Sequence, residues 1–198
     1  VERVFERHPR PPETGRRTLQ PERLLVAHEQ RASGHPVAPA TTFDYRRDMA
    51  STLTKILLHI TFSTKHRAEL IPEALENDLY SYIGGICRRM DSPLLAMGGT
   101  MNHVHMMVSL GKTVALSNLM LEVKRDSSMW IKERDAALRA FAWQDGYFGF
   151  SIGESGVDAL RTYIADQKQH HKTIDFKDEV RALLRKYGVE WDERYIWD

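Results

Sequence analysis

Alternation of apolar and polar positions is clearest over His103-Val104-His105-Met106-Met107-Val108. Side chains of an extended strand face opposite ways in turn. Val104, Met106 and Val108 therefore share a core face, and His103 and His105 share the other. Upstream, Lys55-Ile56-Leu57-Leu58-His59-Ile60-Thr61-Phe62 is dense in β-forming residues and predicts a central strand. Pro72 suits the first turn of a helix, which Ala74, Leu75, Leu79, Tyr82, Ile83 and Ile86 continue at helical spacing to about Arg89. Pro93-Leu94-Leu95-Ala96-Met97 predicts a strand ahead of Gly98-Gly99, paired as a hairpin with the histidine strand, residues 103–110.

A second amphipathic helix is expected over residues 117–132, burying Leu119, Met120, Val123 and Ile131. Trp143-Gln144-Asp145-Gly146-Tyr147 predicts a loop and Phe148-Gly149-Phe150-Ser151-Ile152 a last strand. After Gly153-Glu154-Ser155-Gly156, one helix is expected over residues 157–170 and another over 175–187, stopping at Gly188. Strand, helix, strand, strand, helix, strand is the split βαβ order of a ferredoxin-like sheet. The expected class is α+β, with an antiparallel sheet of about four to five strands and an additional helix carrying Tyr163.

The pattern changes at Met49. Pro9, Pro11, Pro12, Pro21, Pro36 and Pro39 break up the preceding segment, where only residues 23–31 suit a short helix. Residues 1–48 are expected to be a disordered extension and residues 49–198 the folded domain, with Met49 a candidate biological start. The chain of 198 residues is long enough for one domain with its own core. Its single cysteine, Cys87, excludes an intrachain disulfide, and no apolar run is long enough to cross a bilayer. A cytoplasmic protein is the default expectation. The formal charge of +1 gives no overall field for nucleic acid. Any affinity for DNA must come from local patches or a metal.

Chemistry concentrates at two places. His103 and His105 present two imidazoles at a spacing that grips one divalent ion, although paired strand histidines also occur on solvent faces. Some 60 residues later, Tyr163-Ile164-Ala165-Asp166-Gln167 places a phenol and an amide one helical turn apart. Gln167 is a candidate third ligand, with Asp166, His170 and His171 as rivals that spacing does not separate. A metal-holding strand beside a helix that offers a phenol points to a tyrosine nucleophile attacking a phosphodiester. The ordinary role of a helical tyrosine is to bury its ring with the hydroxyl at the edge. Arg88, Arg89, Lys124 and Arg125 are candidate phosphate contacts, and solvated helix faces account for them equally well.

Three stretches together resemble the single-tyrosine HUH transposases of small bacterial insertion sequences and their relatives associated with repeated extragenic palindromes. Asn102-His103-Val104-His105 is similar to the HUH signature. Trp143-Gln144-Asp145-Gly146-Tyr147 is similar to the family's segment before the last strand. Tyr163-Ile164-Ala165-Asp166-Gln167, followed by His170-His171, resembles its catalytic helix. The opening strand with Phe62 and the Tyr195-Ile196-Trp197 ending also fit, so the resemblance spans roughly residues 53–197. It implies Tyr163 as nucleophile, His103, His105 and Gln167 as ligands, and Mg²⁺ or Mn²⁺ as cofactor. The implied substrate is single-stranded DNA bearing imperfect palindromic hairpins, cut and rejoined through a 5′-phosphotyrosine, commonly by a homodimer. Rival readings are a domesticated nickase and ligase of hairpin repeats, an inactive hairpin-binding derivative, and an unrelated ferredoxin-like binding domain with incidental histidines.

Overall fold

A computed structural model describes residues 52–197. The extension expected over residues 1–48 and the short helix considered within it lie outside the described residues. Four strands occur among the described residues: β1 (Leu57–Ser63), β2 (Leu94–Gly99), β3 (His103–Ser109) and β4 (Phe148–Ile152). They form one antiparallel sheet in the order β2-β3-β1-β4. Helix α1 (Glu73–Arg89) joins β1 to β2, and α2 (Leu116–Arg134) joins β3 to β4. This is the expected ferredoxin-like arrangement, at the lower end of the expected strand number.

The two sheet faces carry different chemistry, and the register shows how. Thr61 pairs with His105, Ser63 with His103, and His59 with Met107. Residues paired directly across strands project on one face, so these six side chains lie together. On the other face, Ile60, Phe62, Val104, Met106 and Val108 pack under α1 and α2 with Leu79, Ile83, Ile86, Leu119, Met120 and Val123. The strand alternation thus separates an apolar core from a histidine face.

Strand boundaries depart from the sequence expectation in two places. β1 starts at Leu57, two residues late, and exposed Lys55 pairs with Glu154 at 2.5 Å just beyond the ladder. β2 runs through Gly98 and Gly99, which pair with His105 and Val104. A Cβ at Gly98 would collide with the Ile164 carbonyl. The glycine therefore lets helix α3 (Val157–Ala165) sit directly on β2, where Ile164 and Leu160 bury against Met107.

The expected helix over residues 157–170 is two segments, α3 and the single turn α4 (Gln167–His170), divided at Asp166. Asp166 has φ −91° and ψ 10°, outside the helical region. Helix α5 (Phe176–Lys186) follows, capped by the Asp175 carboxylate, which accepts from the Asp178 amide at 2.8 Å. This N-cap is the reason the helix begins one residue after the expected start. α5 buries Phe176, Val180, Leu183 and Leu184 in a cluster with Phe150 of β4, closing over the histidine face.

The Trp143–Tyr147 loop is held from α2. Trp143 donates its indole N–H to Ser127 Oγ at 2.9 Å. The Lys124 ammonium donates to the carbonyls of Gln144 at 2.8 Å and Asp145 at 3.3 Å, and also to that of Gly146. These carbonyls lose their donor in Lys124→Met. We expect that variant to melt earlier, with a loss of about 1–3 kcal/mol in a denaturant titration. An unchanged midpoint would show that water replaces the ammonium without cost.

Candidate active site

β3 and β1 bring His103, His105 and His59 onto one face, and all three are buried. Each imidazole has one nitrogen fixed by a neighbour. His103 Nδ1 lies 2.7 Å from Asn102 Oδ1, which accepts its hydrogen. His105 Nδ1 lies 2.9 Å from His59 Nε2. His171, just beyond α4, has Nδ1 2.8 Å from the Ile174 carbonyl. Oxygen acceptors hold the hydrogen at Nδ1 in His103 and His171, which leaves their Nε2 lone pairs free to bind a cation; His105 joins them in the tautomer that donates to His59.

Those three Nε2 atoms converge on one carboxylate oxygen. Glu179 Oε2 lies 3.8 Å from His103 Nε2, 3.2 Å from His105 Nε2 and 3.1 Å from His171 Nε2. One ligand atom from each of the four residues falls within 4.8 Å of the others. Gln167 joins them, its Oε1 3.3 Å from His103 Nε2 and its Nε2 donating to Glu179 Oε1 at 3.1 Å. Lone pairs facing one another repel unless a proton or a cation sits among them. Imidazole nitrogens with a carboxylate oxygen and an amide oxygen are donors that divalent first-row metals and Mg²⁺ accept. The residues present therefore fit a divalent cation.

Charge states agree with that fit. Burial, with His105 and His171 nearby, pulls His103 down to about 3, and burial with His105 nearby does the same for His59. Both rings are neutral near pH 7, the form a metal needs. Burial opposes the Glu179 charge, but the neighbouring His105 and His171 and the Tyr163 hydroxyl outweigh it and hold the carboxyl well below its usual range. Glu179 is an anion with only 2% of its side chain exposed.

Tyr163 projects from α3 into this cluster. Its hydroxyl donates to Glu179 Oε1, and its ring stands edge-on to His105 at 5.7 Å and His59 at 5.9 Å. Burial and the adjacent carboxylate raise the phenol above its usual value, so the resting group is a neutral phenol. Glu179 thus connects the phenol to the candidate ligands.

Of the residues singled out in the sequence, the structure brings His103, His105, Tyr163 and Gln167 together. Among the rivals to Gln167, His171 is inside the cluster, His170 stands 3.7 Å from Glu179 Oε1, and Asp166 is exposed. Arg88, Arg89, Lys124 and Arg125 belong to the helices covering the opposite face of the sheet. There Arg89 pairs with Asp126, Arg125 pairs with Glu122 and Asp126, and Lys124 holds the loop. Sequence reasoning missed Glu179 and His59. Glu179 had a signal: it falls on the apolar side of α5, where Phe176, Val180 and Leu183 recur at helical spacing, and a lone carboxylate there needs a partner.

Histidines, a carboxylate and a tyrosine thus gather on one face of a ferredoxin-like sheet. Residues 52–167 match the family model described as "Transposase IS200 like", and the chain belongs to this family of transposases. Among solved structures, it is similar to a Deinococcus radiodurans R1 protein described as a transposase. Identity is 15% and the TM-score 0.48, over 61% of this chain and 97% of that one. It is also similar to a REP-associated tyrosine transposase bound to a REP hairpin. Here identity is 15% and the TM-score 0.49, over 64% of this chain and 75% of that one. No curated protein sequence matches. Among the described residues no helix is long and apolar enough to cross a membrane.

Proposed function

We propose that this transposase cuts and rejoins single-stranded DNA through a 5′-phosphotyrosine at Tyr163, with a divalent cation held by His103, His105 and Gln167. The observation that carries the reading is the hydrogen bond from Tyr163 to Glu179, the carboxylate on which the histidine Nε2 atoms converge. It puts nucleophile and candidate metal ligands within one side chain of each other. His171 and Glu179 complete the donor set. Mg²⁺ or Mn²⁺ is the expected ion, and residues 49–198 are the proposed transposase domain. Single-stranded DNA with an imperfect palindromic hairpin is the proposed substrate and a homodimer the proposed assembly, both as expected of the family.

The chain's own residues divide the work. Glu179 accepts the Tyr163 hydroxyl hydrogen bond and orients the phenolic oxygen. That oxygen loses its proton to water as it attacks phosphorus, the bond from phosphorus to the 3′ oxygen breaks, and the released oxygen takes up a proton from water to leave as a free 3′-hydroxyl. Asn102 and His59 hold His103 and His105 in the tautomer that leaves Nε2 open. A bound divalent cation would stabilise the negative charge that grows on the phosphate oxygens. Because the phosphotyrosine keeps the energy of the broken ester, a second 3′-hydroxyl reseals the strand without a nucleotide cofactor.

The test is cleavage of labelled single-stranded DNA taken from the flanks of the gene, with Mg²⁺ or Mn²⁺ and then with chelator. The expected product has a 3′ end that a polymerase extends, and chelator abolishes it. Cleavage that persists in chelator, or a blocked 3′ end, would contradict the reading.

A further inference from the structure

A cavity of about 420 Å³ opens between α3 and α5, next to Tyr163. Its two sides are lined by small exposed residues, Ala159 on α3 and Ala182 on α5, so the facing helices leave a slot rather than interdigitating. Leu160 and Leu183, both buried, give it an apolar floor. Buried His59 and Glu179 also line it, with Tyr163, exposed Lys186 and half-buried Tyr187.

We propose that this slot receives the nucleobase of one nucleotide flanking the scissile phosphate. The inference rests on the tyrosine-transfer reading, which brings a phosphodiester to the Tyr163 hydroxyl and its neighbouring bases to the slot beside it. Its volume lies in the range of roughly 300–1,000 Å³ typical of small-ligand sites. Ala159, Leu160, Ala182 and Leu183 give the slot apolar walls that suit a neutral, flat base, and exposed Lys186 at its mouth offers a cation to a backbone phosphate. Tyr187 offers an aromatic surface at that mouth, itself held in place by stacking on Phe150 at 4.6 Å and 18°. Stacking of this kind accepts any base, so the slot would anchor the strand at the cut without reading its sequence.

Ala182→Leu fills the slot with a residue of good helix propensity, so α5 is preserved. The experiment measures phosphotyrosine formation on gene-flank DNA that is either natural or abasic at each nucleotide bordering the cut. With wild-type protein, one abasic position is expected to slow the reaction about tenfold, the scale of one lost stack. Ala182→Leu is expected to slow the natural strand by a similar factor and to add little on that abasic strand. Arg185→Leu, exposed on the same helix but outside the slot, keeps wild-type rates. Slowing of both strands equally by Ala182→Leu, slowing of neither, or equal slowing by Arg185→Leu would overturn the slot while leaving the tyrosine reading intact. Absence of any adduct with wild-type protein on every strand would overturn both.

Discussion

Tyr163→Phe is expected to lower strand cleavage by at least about a thousandfold while leaving DNA binding intact, because it removes the attacking oxygen and nothing else of the ring. Ring packing against His59 and His105 survives the change. The lost hydroxyl, however, is one of the donors that keep buried Glu179 satisfied. The variant should therefore also lose about 1–3 kcal/mol of stability, measurable by denaturant titration. Both readouts matter together. Loss of cleavage with unchanged DNA affinity isolates the chemical step. Cleavage at the wild-type rate would move the nucleophile away from Tyr163.

His105→Ala is expected to weaken Mn²⁺ binding at least about a hundredfold, measured by titration calorimetry. Its Nε2 is one of the three nitrogens around Glu179 Oε2, and its ring sits at the centre of the cluster between His59 and His103. Removing the acceptor that holds it, in His59→Ala, should cost about ten- to a hundredfold, the range for groups behind a ligand. The same metal should raise the melting temperature of the wild type, because it binds the folded cluster and not the unfolded chain. At a concentration a hundred times Kd the gain is about 2.7 kcal/mol. Equal Mn²⁺ affinity in wild type and His105→Ala would mean that Glu179 and the histidines are a closed ion-pair network with no room for a cation.

The sequence carried the fold because its elements agree with their own periodicity. The alternation at 103–109 assigned each residue of β3 to a face, and the register confirms it through Thr61 opposite His105. β1 was harder. Its run of apolar residues is almost unbroken, so nothing local marked His59 as belonging to the histidine face. Pairing with β3 is what places it there, opposite Met107. Likewise, Gly98 looked like the start of a turn, and only the approach of the Ile164 carbonyl explains why the strand continues through it.

The site was legible as far as local spacing reaches. Tyr163 and Gln167 are one turn apart, and they share the cluster even though Asp166 divides the helix between them. Choosing between Gln167 and His171 was beyond spacing, and the structure places both against Glu179. Glu179 comes from a helix whose docking over the sheet depends on Phe150, far away in sequence. The basic pairs on α1 and α2 show the opposite limit. Their charges suggested phosphate contacts, but a helix sequence does not say which side of the sheet it covers.

The most direct test of the central claim is to trap the protein–DNA adduct with Mg²⁺ and identify the modified residue by mass spectrometry. The account predicts a single phosphodiester link from Tyr163 to a 5′-phosphate, absent when the metal is chelated. A link at any other residue, or a 3′-phosphate linkage, would contradict it.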